Sequence, residues 1–203
     1  MKLLYVTDRG AIGDERFAGV LERLAGAPQL SVELRETSGT DREKLLLARD
    51  ARERLGPNVA IYVHRRFDVA LAAGAAGVHL PANGLPLSRV RTHTPRGFRI
   101  GVSTHSPGEA GEAIAAGADL VVMGPIFDTP SKRAFGDPLG AASLAALPPA
   151  ESHRCEVYAI GGISEERLPE LDGYRDKISG IAAIRLVQES VDPRAAAERI
   201  AAR

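Results

Sequence analysis

Cysteine is almost missing: Cys155 stands alone among 203 residues. A lone thiol excludes an internal disulfide, and it cannot build a cysteine-based zinc site. Excess charge is missing too, because 26 basic residues face 26 acidic ones. That balance argues against a nucleic-acid binder that relies on a basic face. No uninterrupted apolar run is long enough to cross a bilayer. The opening stretch MKLLYVTDRG has no signal-peptide layout, since its short apolar run leads straight into Asp8 and Arg9. A cytoplasmic protein is the expectation. Tryptophan does not occur, whereas glycine occurs 21 times. With 44% apolar and 26% charged residues the composition is that of an ordinary globular chain, long enough to bury a real core. One domain spanning 1–203 is expected.

Two kinds of segment alternate along the chain. Short apolar, β-branched runs fall at Leu3–Val6, Leu30–Leu34, Val59–Val63, Gly77–Leu80, Arg99–Ser103, Leu120–Met123, Val157–Ile160 and Ile178–Ile184. Between them lie stretches with helical spacing: Asp14–Ala25, Asp41–Leu55, Arg66–Ala73, Leu87–His93, Pro107–Ala116, Gly140–Ala146 and Glu165–Leu171, with Pro193–Ala202 closing the chain. The strand-like runs are continuously apolar, as a parallel sheet covered by helices requires. Ser106–Pro107 and Ser164 before Glu165 and Glu166 read as helix starts, and Gly56, Gly74 and Gly117 as helix stops. Eight strands alternating with eight helices give an α/β class, a single-domain (β/α)8 TIM barrel. A doubly wound open sheet is the runner-up.

Chemistry in such a barrel sits where strands end. Those places are Thr7–Asp8, Glu33–Thr37, His64–Arg65, Pro81–Gly84, Ser103–His105, Gly124–Lys132, Gly161–Gly162 and Ile184–Arg185. Gly161–Gly162 follows the seventh strand, where glycine lets backbone approach an anion and a helix start offers free N–H groups. Ile184–Arg185, after the eighth, adds backbone donors and a guanidinium. An isolated Gly-Gly pair is only a tight turn; its position favours phosphate. Thr129, Ser131 and Lys132 suit a lid over a phosphate or diphosphate, or else a solvated loop. Ser103 ends the fifth strand with a hydroxyl for a phosphate oxygen. His105 is either a group titrating near neutrality or a packed neighbour of the Ser106 cap.

In sequence order these segments resemble the thiamine-phosphate synthase and TenI family over nearly the whole chain. Tyr5-Val6-Thr7-Asp8, Val69-Ala70-Leu71, Gly77-Val78-His79-Leu80, Gly101-Val102-Ser103-Thr104-His105-Ser106, Gly124-Pro125-Ile126-Phe127 with Thr129-Pro130-Ser131-Lys132, and Ala159-Ile160-Gly161-Gly162-Ile163 carry it. The resemblance implies a barrel acting in thiamine biosynthesis on small phosphate ligands. In the synthases, hydroxymethylpyrimidine diphosphate is joined to thiazole phosphate, with magnesium helping diphosphate depart. By the same resemblance Ser103 and Lys132 touch diphosphate, Thr129 and Ser131 lie by the thiazole, and Gly161, Gly162, Ile184 and Arg185 form the thiazole-phosphate cup.

Departures from the family pattern cluster on the diphosphate–metal half. The second strand usually ends Gln-x-Arg-x-Lys; here Glu33-Leu34-Arg35-Glu36-Thr37 keeps only Arg35. The usual Asn-Asp after strand three is His64-Arg65, and a second magnesium carboxylate after strand four is replaced by Gly84. Magnesium wants hard oxygen ligands, so the resemblance here implies no metal site and no cofactor, with magnesium needed only by a synthase. The TenI type, a thiazole tautomerase that needs no metal, fits that loss. Its usual histidine after the strand-six glycine is Pro125 here, which leaves His64, His79 and His105 at strand ends. His79 occurs in the synthase pattern too and reads as packing, so the acid–base group is His64 or His105, with Arg35 or Arg65 to hold a carboxylate. The expected function is therefore tautomerase-type chemistry on a thiazole phosphate. Alternatives are a synthase in which Arg65 replaces magnesium and a phosphate-ligand binder without chemistry. The expected partner is a small phosphate ligand, with no nucleic acid and no membrane; a homo-oligomer is left open.

Overall fold

All eight strand-like runs pair in parallel in a computed structural model, which describes residues 1–129 and 137–203. The strands are β1 (Lys2–Val6), β2 (Leu30–Leu34), β3 (Ala60–His64), β4 (Gly77–Leu80), β5 (Arg99–Thr104), β6 (Leu120–Met123), β7 (Glu156–Ile160) and β8 (Gly180–Ala183). Each bonds to its sequence neighbour, and β8 returns to β1 with Leu3 opposite Ile181, so the sheet closes into a barrel. Closure overturns the open-sheet alternative.

The covering helices are α1 (Arg9–Ile12), α2 (Asp14–Arg23), α3 (Asp41–Leu55), α4 (Phe67–Ala73), α5 (Leu87–Arg91), α6 (Pro107–Ala115), α7 (Arg185–Gln188) and α8 (Pro193–Ala201). Their ends follow local chemistry. Thr40 and Glu43 form a reciprocal capping box on α3, and the side chains of Ser106 and Asp192 accept from the third residue of α6 and α8. Gly74 ends α4 in the left-handed conformation. Two expected helices differ: Ala141–Ala146 and Glu165–Tyr174 are 3-10 helices. Pro169 inside the second removes a backbone donor, and Ser164 makes no side-chain cap there. The short helices α1 and α7 were not expected.

Alternation along the strands divides the side chains. Leu3, Tyr5, Val32, Ile61, Val63, Val78 and Ile100 pack outward under the helices, whereas Leu4, Val6, Tyr62, Leu120, Val122, Tyr158 and Ala182 fill the barrel. The N-terminal end of the barrel is plugged. There Glu156 takes Lys2 Nζ at 2.8 Å, Arg99 Nη2 at 3.2 Å and the Tyr158 hydroxyl at 2.9 Å, and the Arg99 guanidinium lies 5.7 Å from the centre of the Tyr62 ring. Only the C-terminal mouth is left for chemistry.

Barrel closure depends on small residues where strands crowd. A Cβ on Gly180 would sit 1.9 Å from the Lys2 carbonyl oxygen, at the seam between β8 and β1. Backbone cannot move aside there without opening the seam. Gly180→Ala is therefore expected to destabilise the protein by about 1–3 kcal/mol, the usual cost of overpacking. Urea unfolding would show this as a lower midpoint at unchanged slope.

Candidate functional site at the barrel mouth

The inward residues nearest the mouth split into two arcs. On β2 to β5 they are Glu33, His64, His79 and Ser103, all able to hydrogen-bond. On β6, β7, β8 and β1 they are Val122, Ile160, Ile184 and Val6, all apolar. A flat ring can lie against the second arc while the first reaches its polar atoms.

Glu33 is the hub of the polar arc and the only fully buried carboxylate among the described residues, at 3% exposure. His64 Nδ1 lies 2.8 Å from its Oε1, and His79 Nδ1 lies 3.1 Å from its Oε2. The first contact is a hydrogen bond. The second is close but lacks hydrogen-bond alignment. Burial alone would raise the Glu33 carboxyl, yet the two imidazoles and the Arg35 guanidinium outweigh it and hold Glu33 below the ordinary 4.5. Burial lowers His79 below its ordinary 6.5, so this imidazole is neutral at neutral pH. On its far side His79 Nε2 meets Ser103 Oγ at 2.8 Å. A carboxylate can only accept, so His64 has a proton on Nδ1, and the lone pair of its neutral form lies on Nε2.

The glycine turn after β7 is locked onto the loop after β6. Ile126 N–H donates to the Ile160 carbonyl at 2.8 Å, and Phe127 N–H to that of Gly161 at 2.9 Å. Gly162, at φ +63°, has the Asp128 carbonyl 2.5 Å from where a Cβ would be, so only glycine fits. Across this turn Arg185 Nη2 reaches Thr129 Oγ1 at 3.4 Å, and α7 begins just after Ile184. Gly161, Gly162, Thr129, Ile184 and Arg185 thus share one edge of the mouth. Ser131 and Lys132 lie outside the described residues.

Other expected residues are more scattered. Arg35 is exposed at the end of β2, its N–H held by Thr7 Oγ1 at 3.0 Å. Arg65 stands exposed at φ +64°, a conformation rare outside glycine, and its Nη2 donates to Asn83 Oδ1 at 3.0 Å. His105 is exposed rather than inside the barrel, and its Nδ1 lies 2.8 Å from the Gly124 carbonyl. Sequence reasoning treated Glu33 as a lost glutamine and missed it as an ionic hub. The juxtaposition of Glu33 with His64, at adjacent strand ends, was the available signal.

Magnesium, implied by the family resemblance, does not fit this donor set. A guanidinium and an amide occupy the ends of β3 and β4, and both Glu33 oxygens already face imidazoles. Among the described residues no cluster of three metal-ligating side chains occurs.

Acid should reveal the hub. Groups whose pKa is lowered by folding stabilise the protein above their ordinary values and lose that contribution as pH falls. His79 therefore erodes stability below about 6.5 and Glu33 below about 4.5. Glu33→Gln is expected to cost about 2 kcal/mol at pH 7, as for a lost charged hydrogen bond, and to flatten the decline below pH 4.5 in urea titrations.

Comparison with known proteins agrees with the fold. The family model for thiamine monophosphate synthase matches residues 3–187. A putative thiamine-phosphate synthase of Geobacter sulfurreducens is 39% identical, covering 98% of this chain and 92% of its own. A thiamine-phosphate synthase of Methanoculleus marisnigri is 39% identical over 98% of this chain and 95% of its own. The solved thiamine phosphate pyrophosphorylase of Pyrococcus furiosus superposes with a TM-score of 0.80 at 29% identity, over 99% of this chain and 94% of that one. An eight-stranded barrel matched by sequence along nearly its whole length places this chain in the thiamine monophosphate synthase family of thiamine biosynthesis.

Proposed function

We propose that the chain is a tautomerase-type member of this family, moving a proton on a thiazole phosphate without metal. The Glu33–His64 hydrogen bond carries this reading, because it fixes the imidazole tautomer that leaves Nε2 free to accept a proton. In this reading His64 takes a proton from a ring carbon and returns it to another ring atom, while Glu33 stabilises the transient imidazolium. Gly161, Gly162, Ile184 and Arg185 hold the phosphate, with Thr129, Ser131 and Lys132 as further ligand-binding residues. Arg35 and Arg65 hold a ring carboxylate, and Ser103 borders the ring. His105 is a weaker acid–base candidate, since its Nδ1 is committed to the Gly124 carbonyl.

A second reading is a synthase joining hydroxymethylpyrimidine diphosphate to thiazole phosphate. The names of the relatives, thiamine-phosphate synthases, favour it. It requires the Arg65 guanidinium to stabilise the departing diphosphate in place of magnesium.

Two assays separate the readings. Wild-type protein should isomerise a carboxylated thiazole phosphate in the presence of EDTA, and His64→Asn should slow this about 100-fold or more. Thiamine phosphate formed from the two synthase substrates, resistant to EDTA and lost in Arg65→Ala, would establish the second reading instead. Tight binding of thiazole phosphate with neither reaction would reduce the protein to a binder.

A further inference from the structure

We propose that Ser103, His79 and Glu33 act as nucleophile, general base and positioning carboxylate, giving the chain a second activity: phosphoryl transfer from a small phosphate monoester to Ser103 and then to water. Ser103 Oγ is 2.8 Å from His79 Nε2, and His79 Nδ1 is 3.1 Å from Glu33 Oε2. The base is 2% exposed, whereas the nucleophile is only partly buried at the open end of the barrel. With an anionic carboxylate at Nδ1, the imidazole keeps its proton on that atom, so Nε2 accepts from the serine hydroxyl. Glu33 cannot swing away, since His64 holds its other oxygen at 2.8 Å.

Phosphoryl transfer suits this serine better than acyl transfer. Acyl chemistry needs backbone N–H groups aimed at a developing oxyanion. Two residues on from Ser103, the His105 N–H is already spent on Glu109 Oε2 at 2.7 Å. The same rim instead exposes the guanidinium-bearing residues Arg35, Arg65 and Arg185, which suit a phosphoryl group with charge spread over its oxygens. In the first step Ser103 Oγ bonds to phosphorus as the ester P–O bond breaks. The serine proton passes through His79 Nε2 to the leaving oxygen, which departs as the alcohol. In the second step water attacks the phosphoserine and gives a proton to His79. Phosphate leaves, and Ser103 Oγ recovers that proton. One water is consumed, and alcohol and phosphate are produced.

The test uses 4-nitrophenyl phosphate with the full chain. Wild-type protein should release 4-nitrophenolate, and rapid acid quench should show a phosphoryl-sized mass gain on the peptide containing Ser103. Ser103→Ala should lose turnover about 100-fold or more and lose the adduct. Glu33→Gln should lower kcat with little change in KM and displace the pH–rate profile, which a merely structural role would not do. Absence of turnover in wild type, turnover that survives Ser103→Ala, or an adduct on another residue would overturn the proposal. So would hydrolysis of 4-nitrophenyl acetate without hydrolysis of the phosphate. The probe contains no thiazole, so this outcome and that of the isomerisation assay are independent.

Discussion

A carboxylate removed from water must find compensating partners, and at this barrel mouth Glu33 has one imidazole hydrogen-bonded to it and a second 3.1 Å away. That one requirement orders the polar half of the site. It fixes the tautomer of His64, favours Nδ1 protonation in His79, and through His79 orients the hydroxyl of Ser103. Four consecutive strands contribute one residue each, so the arrangement exists only because parallel strands in sequence order bring their ends side by side. The barrel supplies the positions, and the buried charge decides how the side chains use them.

The other half of the mouth is apolar for the same geometric reason. Val122, Ile160, Ile184 and Val6 occupy the inward positions of strands that carry no polar residue at that level. Beside them the Gly161–Gly162 turn lies against the backbone at Phe127 and Asp128, an approach that any side chain on Gly162 would block. At the opposite end the Lys2–Glu156–Arg99 cluster closes the barrel, so the polar residues there serve structure rather than access.

Much of the fold was legible because it is local. The strand runs match the observed strands to within two residues at either end, since continuous apolar β-branched stretches have few other uses. Gly74 and the Ser106 cap ended and began helices as their backbone and side-chain chemistry dictates. The 3-10 segments were misread as ordinary helices because apolar spacing does not report a missing donor such as that of Pro169. The site was legible in part. The place of Gly161–Gly162 after strand seven was legible, while the contact of His105 with the Gly124 carbonyl was not, because nothing local in the chain reveals which way that ring turns.

Composition and pattern alone determined a barrel of eight strands, its chemically active end and the residues at that end. The family resemblance added that carboxylates are missing where a magnesium site would need them. The tertiary structure decided what replaces them. Glu33, His64, His79 and Ser103 are separated by as many as 70 positions in sequence, yet neighbouring strands bring them within hydrogen-bond reach. Side-chain spacing along one strand carries no information about its neighbours' register. Only closure of the sheet sets that register, and with it the pairing of one buried charge with two imidazoles.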